Sequence, residues 1–183
     1  MSPLHPHQRQ ELAELAVIAM RERGLQPEFG RAALDQLSAI DAPSDEQGPG
    51  IADMTALRWC SIDNDDSRDL DQLTASQVLP SGDVRILVAV ADVDALVKAH
   101  TPIDQHAEAN TTSVYTSAIV FPMLPEKLST DFTSLNPHRV RVALVVEMDF
   151  APDGALRRSH ITRARVRNQA QLAYDAVSAW LTG

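Results

Sequence analysis

Three long runs in the second half of the chain constrain its fold more than any other feature. They read "DVRILVAVADV", "VRVALVVEMDF" and "LRRSHITRARVR". Each is rich in β-branched residues with a period near two, the pattern of a strand that buries one face. The turn "PSGD" leads into the first, and "APDG" separates the other two. An earlier run, "ALRWCSI", has the same character. From Thr55 onward the chain is therefore expected to build a sheet. In 183 residues with 44% hydrophobic content there is enough apolar material for one ordinary core.

The first fifty residues follow a different period. "QRQELAELAVIAMRERG" places Leu12, Leu15, Ala16, Ile18 and Ala19 at helical spacing, with Gly24 as a stop. A second helix is expected from about Glu28 to Ile40. Two short amphipathic helices of this kind open winged and helix-turn-helix modules, and they open many unrelated bundles as well. "DAPSDEQGPG", residues 41–50, reads as a linker. Helices are also expected from Asp92 to about Ala99 and from about Asn168 to Leu181, the latter with Leu172, Ala176, Val177 and Trp180 on one face. Residues 101–137 read as irregular. The fold class is α+β: a helical N-terminal module with its linker over residues 1–50, then a mixed sheet with helices over 51–183.

The most unusual local feature is "SIDNDDSRDLDQL", residues 61–73, with aspartates at 63, 65, 66, 69 and 71. A solvated turn explains many acidic loops, because Asp and Asn bond their own backbone there. This cluster instead follows directly on an apolar strand-like run, so its carboxylates start at a strand end. Carboxylates held together repel, and a hard divalent cation with oxygen ligands cancels that repulsion. A calcium loop of the EF-hand type counted from Asp63 needs Gly at its sixth position and Glu at its twelfth, where the chain has Arg68 and Thr74. Magnesium, with manganese as a substitute, fits the pattern better, and such sites serve phosphoryl transfer.

Net charge is −9, which taken alone argues against a nucleic-acid partner. The charge is segregated, however. Residues 41–72 carry a net of −7, and residues 138–167 carry seven arginines and a net of +4. Arg163, Arg165 and Arg167 alternate, so on a strand they share one face, either as a phosphate-tracking stripe or as a solvated edge. One cysteine, Cys60, excludes an internal disulfide framework and a multi-cysteine zinc site, and no histidine pairing suggests zinc. "TSV" and "STD" lack the G-x-S-x-G setting of a serine nucleophile. No apolar run is long enough to span a bilayer and the start lacks signal-peptide order, so a cytoplasmic location is expected. Trp59 and Trp180 read as core residues, and Asp92 either as an acid supporting the aspartate site from behind or, by preference, as the cap of the helix after it.

Four segments in order, "IDNDDSRDLDQ", "VAVADVDALV", "TTSVYTSAIVFPMLPEKLSTDFTSL" and "RNQAQLAYDAV", resemble the front half of the catalytic domain of the ribonuclease II and ribonuclease R family, the RNB family of 3′-to-5′ exoribonucleases. The resemblance covers residues from Trp59 to Gly183. It implies that Asp63, Asp69 and Asp71 surround a magnesium ion, with Asp71 essential for hydrolysis and Asp65 and Asp66 not ligands. It also implies that Tyr115 stacks on a base near the 3′ end of single-stranded RNA. Where the family pattern has an acid after Asp71, this chain has Gln72, which offers a neutral oxygen to the metal. Ala89 and Thr133 replace a histidine and a cysteine usual in the pattern. The family's later segments are absent, so the remaining half of the catalytic domain is expected as a partner. Three functions are open: a magnesium-dependent exoribonuclease that releases nucleoside 5′-monophosphates, a catalytically weakened RNA-binding relative, and a metal-binding structural module.

Overall fold

The computed structural model describes residues 6–183; the five before them, where the leader reading begins, lie outside the described residues. The chain divides by packing into two compact units, one of residues 1–41 with 97–126, the other of residues 42–96 with 127–183. This grouping differs from a linear boundary at residue 50, because residues 97–126 pack with the N-terminal helices.

The first unit holds helices α1 (Pro6–Glu22), α2 (Arg31–Ser38) and α3 (Pro102–Asn110), with a short hairpin whose strands pair Val114 with Phe121 and Tyr115 with Val120. The helix α1 forms where its period says, yet Leu15 and Ile18 are 60% and 50% exposed and its buried residue is Met20. The segment containing α3 reads as irregular in sequence because the helix buries polar groups. His106 and Asn110 are both buried. Asn110 receives the Gln26 backbone N–H at 2.7 Å and donates to the Gln26 carbonyl at 2.8 Å, while His106 lies 3.2 Å from Gln26 Oε1 and 4.0 Å from the Phe29 ring centre. Across the unit, Gln36 Oε1 accepts the Ile103 N–H at 2.9 Å and so satisfies a free donor of the first turn of α3.

The second unit is a sheet that closes on itself. Its strands are β1 (Ile51–Asp53), β2 (Trp59–Asp63), β3 (Gln72–Val78), β4 (Val84–Ala91), β5 (Val140–Phe150) and β6 (Leu156–Ala173). Antiparallel neighbours run β2, β3, β4, β5 and β6, and β6 returns alongside β2 in parallel, closing a ring of five; β1 adds to β6 outside it. Every strand of the ring sends buried residues inward: Trp59, Leu73 and Ala75, Leu87 and Ala89, Ala143 and Val145, Ala164 and Val166. A small ring has room for one large ring system only if its neighbours are small. Four alanines provide that room, and Ala143 faces Ala164 directly. The two predicted turns form tightly, with Gly82 at φ +86° and Gly154 at φ +85°, a backbone region in which glycine carries no Cβ penalty.

Four sequence expectations change here. The helix expected from Asp92 to Ala99 is a single 3₁₀ turn, Val93–Ala95, and Asp92 makes no side-chain cap. Its carboxylate instead meets Arg163 Nε at 2.7 Å, because a carboxylate this buried requires a charged partner. The last helix, α4 (Tyr174–Thr182), begins six residues later than expected, because residues 168–173 continue β6 beside β2. Trp59 is a core residue, with Nε1 donating to the Met54 carbonyl at 2.8 Å, but Trp180 is 79% exposed on α4. Finally, residues 127–132 form a π-helical turn and β3 forms from "QLTASQV", neither of which the sequence pattern announced. Among the described residues no helix is long and apolar enough to cross a membrane.

Candidate active site

The acidic segment connects β2 to β3 across one mouth of the ring. Asp63 is the last residue of β2 and Asp71 immediately precedes β3. The antiparallel pairing of β2 with β3 at Cys60 and Thr74 places Asp63 and Asp71 toward the same end of the two strands. The Asp71 carbonyl accepts the Ala91 N–H at 2.9 Å, which extends the β3 to β4 ladder to the site. Strand pairing thus brings two distant members of the motif together, and the loop between them brings Asp69.

Leu70 anchors this loop. It is 1% exposed and belongs to the ring's core, while its neighbours Asp69 and Asp71 reach the surface. The hydroxyl of buried Ser134 donates to the Arg68 carbonyl at 2.9 Å and accepts the Leu70 N–H at 3.1 Å, and Leu135 N–H donates to the Leu70 carbonyl at 2.8 Å. Behind them, buried Asn168 of β6 donates to Ser61 Oγ at 3.1 Å and to the Leu135 carbonyl at 3.0 Å. Leu70, Ser134 and Asn168 carry no signal in spacing or charge, so sequence reasoning passed over them.

Burial pushes the Asp71 carboxyl up, and the charges of Asp63 and Asp69 push it further, against the opposing effect of a backbone hydrogen bond. The three carboxylates therefore share one electrostatic environment. Their chemistry, hard oxygen donors under mutual repulsion, suits a hard divalent cation. Their spacing is more open: among the described residues no group of three His, Cys, Asp or Glu is drawn close enough to hold an ion. Gln72 opens β3, paired with Val90, and its side chain is exposed. Asp65 and Asp66 line a surface hollow with Asn64, Tyr174 and Asp175, apart from Asp71's interactions.

The arginine stripe exists as geometry, since Arg163, Arg165 and Arg167 alternate with buried Ala164 and Val166 along β6. Two of its members face carboxylates. The Arg163 guanidinium stands 2.7 Å from Asp92 and 2.9 Å from Glu46, and its outer nitrogen is close enough for charge pairing but poorly angled for hydrogen bonds. Arg165 lies 4.0 Å from Asp53, and Arg167 is exposed. Tyr115 sits in the hairpin of the other unit, 67% exposed.

The second unit is thus a five-stranded ring with an aspartate loop between β2 and β3, and it holds the first and fourth of the sequence segments, the second as far as Leu96, and the end of the third. Residues 51–183 match the family described as the RNB domain, and the chain belongs to that family. It is 33% identical over 158 residues to Ribonuclease R 1 of Lactococcus lactis subsp. lactis (strain IL1403), covering 85% of this chain and 19% of that protein. It is 34% identical over 167 residues to Ribonuclease R of Escherichia coli (strain K12), covering 91% and 20%. Among solved structures, Mycoplasma genitalium RNase R in complex with ribose methylated single-stranded RNA superposes with a TM-score of 0.84 at 29% identity, over 93% of this chain and 27% of that one. The chain thus spans about a fifth of the length of the curated relatives it matches.

Proposed function

We propose that this chain carries the aspartate half of a magnesium-dependent 3′-to-5′ exoribonuclease that shortens single-stranded RNA and releases nucleoside 5′-monophosphates. The observation that carries this reading is the aspartate loop itself, with Asp63 ending β2 and Asp71 preceding β3, in a chain whose residues 51–183 match the RNB domain. Asp63, Asp69 and Asp71, with the Gln72 amide oxygen, would hold the metal, and manganese would substitute. When bound, such an ion neutralises charge developing on the phosphodiester and lowers the pKa of a water. The residues' own part is to orient water and phosphate: the oxygen of water joins phosphorus as the bond to the 3′-oxygen of the penultimate nucleotide breaks. The relatives named ribonuclease R support an RNA substrate. Tyr115 would stack on a base near the 3′ end, a contact indifferent to sequence. Arg165 and Arg167 are better placed than Arg163 to meet phosphates, because Arg163 is held by two carboxylates. The polypeptide that completes the domain in longer relatives is the expected protein partner.

The test takes 5′-labelled single-stranded RNA with magnesium or chelator, with the chain alone and joined to a completing RNB segment, and with an Asp71→Asn control. A ladder shortening from the 3′ end, dependent on metal and lost in Asp71→Asn, supports the reading. RNA that binds but stays intact in the completed protein favours a second reading, an RNA-binding relative with weakened turnover. One observation favours that alternative: Gln72 removes a negative charge beside Asp71.

A further inference from the structure

We infer that Ser134 is a positioning residue for Asp69 and Asp71, an inference that rests on the exoribonuclease reading. A side chain that is 2% exposed and bonded in both directions is a fixed point in the structure. Its hydroxyl donates to the Arg68 carbonyl, in the peptide group that enters Asp69. It accepts the Leu70 N–H, in the peptide group that leaves Asp69. The next residue, Leu135, bonds the Leu70 carbonyl, in the peptide group that enters Asp71. Three consecutive peptide planes are therefore oriented by two adjacent residues; they set the Cα–Cβ direction of Asp69 from both sides and that of Asp71 from one, the plane after Asp71 being held by the Ala91 N–H. Only a hydroxyl gives and takes a hydrogen bond at one atom in so little space.

The segment that delivers Ser134 is itself held. The π-helical turn Lys127–Phe132 ends with the Thr133 N–H and hydroxyl both donating to the Leu128 carbonyl at 3.0 Å, and Leu128 is fully buried. Single π turns of this kind are costly and occur often at functional sites, where they re-aim the adjoining backbone. Arg141 adds a second tie, its guanidinium donating to the Asp131 carbonyl at 3.1 Å. The acidic loop, whose first half is turned by the Asn64 N–H on Asp63 and the Ser67 N–H on the Asn64 carbonyl, is thereby fixed over Arg68 to Leu70 from a distant segment, as the proposed reaction requires: a misplacement of about 1 Å costs roughly 100-fold in rate.

The test measures kcat, KM for single-stranded RNA, and Mn²⁺ affinity by electron paramagnetic resonance, on the full chain joined to its completing segment. The proteins are the wild type, Ser134→Ala, and Val166→Ala as a destabilised control whose side chain lies in the ring core. Ser134→Ala is expected to lose about 30- to 100-fold in kcat and about 10-fold in Mn²⁺ affinity, with KM within about twofold. Val166→Ala, at equal or greater loss of Tm, is expected to keep both. If Ser134→Ala does not fold, Ser134→Cys, close in size but a weak hydrogen-bonding group, is held to the same criteria. A Ser134 variant that matches Val166→Ala in kcat and Mn²⁺ affinity overturns the inference alone. A wild type that neither binds Mn²⁺ nor shortens RNA overturns the exoribonuclease reading and this inference with it.

Discussion

Asp71 and His106 are both displaced from their ordinary titration ranges, and they respond to pH in opposite ways. The Asp71 carboxyl is raised by burial and by its two acidic neighbours, so the folded state holds its proton more tightly than the unfolded state does. Its favourable contribution is present at low pH and is lost as pH rises out of the ordinary carboxylate range. Removing the charge should relieve that cost. Asp71→Asn is expected to raise Tm at neutral pH without divalent ions, while abolishing RNA shortening. A melting curve in chelator checks the first part, and a fall in Tm would contradict it. His106 is lowered from 6.5 by burial. The Asn110 Oδ1 accepts a backbone N–H, so its Nδ2 donates to His106 Nε2 at 3.1 Å, and Nδ1 is left to donate to Gln26. A proton on Nε2 would set two donors against each other. The unfolded state binds that proton first, so the stability this network gives is complete above pH 6.5 and drains away as pH falls below it. Wild type should lose more Tm between about pH 7.5 and pH 5 than His106→Gln does, and equal losses would contradict this assignment.

At the scale of elements, what could be read from sequence depended on which groups an element buries. β4 and β5 form where period and turns indicate, because most of their buried positions are aliphatic, with Arg141 and Asp149 of β5 the charged exceptions. The aspartate motif stands out in the sequence because its residues are rare in such density, and the structure sets it between β2 and β3. α3 was not legible, because its buried face is Ile103 with His106 and Asn110, which look like solvent-facing residues until Gln26 and Gln36 are seen beside them. The far end of β6 reads as helix because Leu172, Ala176, Val177 and Trp180 have helical spacing, whereas residues 168–173 pair with β2 and Asn168 bridges β2 and the segment after the π turn. The partners that hold the site were invisible for the same reason: hydrogen bonds between residues 64 or 107 positions apart leave no local pattern. Asn168→Ala would leave the Leu135 carbonyl and the Ser61 hydroxyl short of a donor inside the fold. It is expected to cost about 1–3 kcal/mol in a denaturant titration, and Leu70→Ala about 2–5 kcal/mol. A Leu70→Ala change below about 1 kcal/mol would show that the loop does not depend on its anchor.

At the scale of the molecule, stability is expected to be distributed as the ring is. Amides of Ala143 to Val145 and Ala164 to Val166, bonded within the closed sheet and buried, should exchange most slowly, and those of α4, which buries no residue, within the fastest class. The two tryptophans give a simpler check. Iodide should quench Trp180 and spare Trp59, leaving the protected fraction of emission blue-shifted, and uniform quenching would contradict the placement of Trp59 in the core. One feature of the ring reaches further. Strand β6 serves β5 over its first two-thirds and β2 over its last third; the change falls between Arg167 and Asn168, and Gln169 just beyond it is skipped between the pairs Trp59 with Asn168 and Cys60 with Ala170. A strand with two neighbours inherits two alphabets, since each stretch must alternate correctly for a different listener. One residue inserted or deleted between Arg167 and Gln171 would leave the arginine half grammatical and invert the meaning of every side chain beyond it, turning Asn168 or its successor toward water. Length drift at this point is therefore forbidden to descendants of this chain, while the turns at Gly82 and Gly154, at the opposite end of the strands, are free to lengthen.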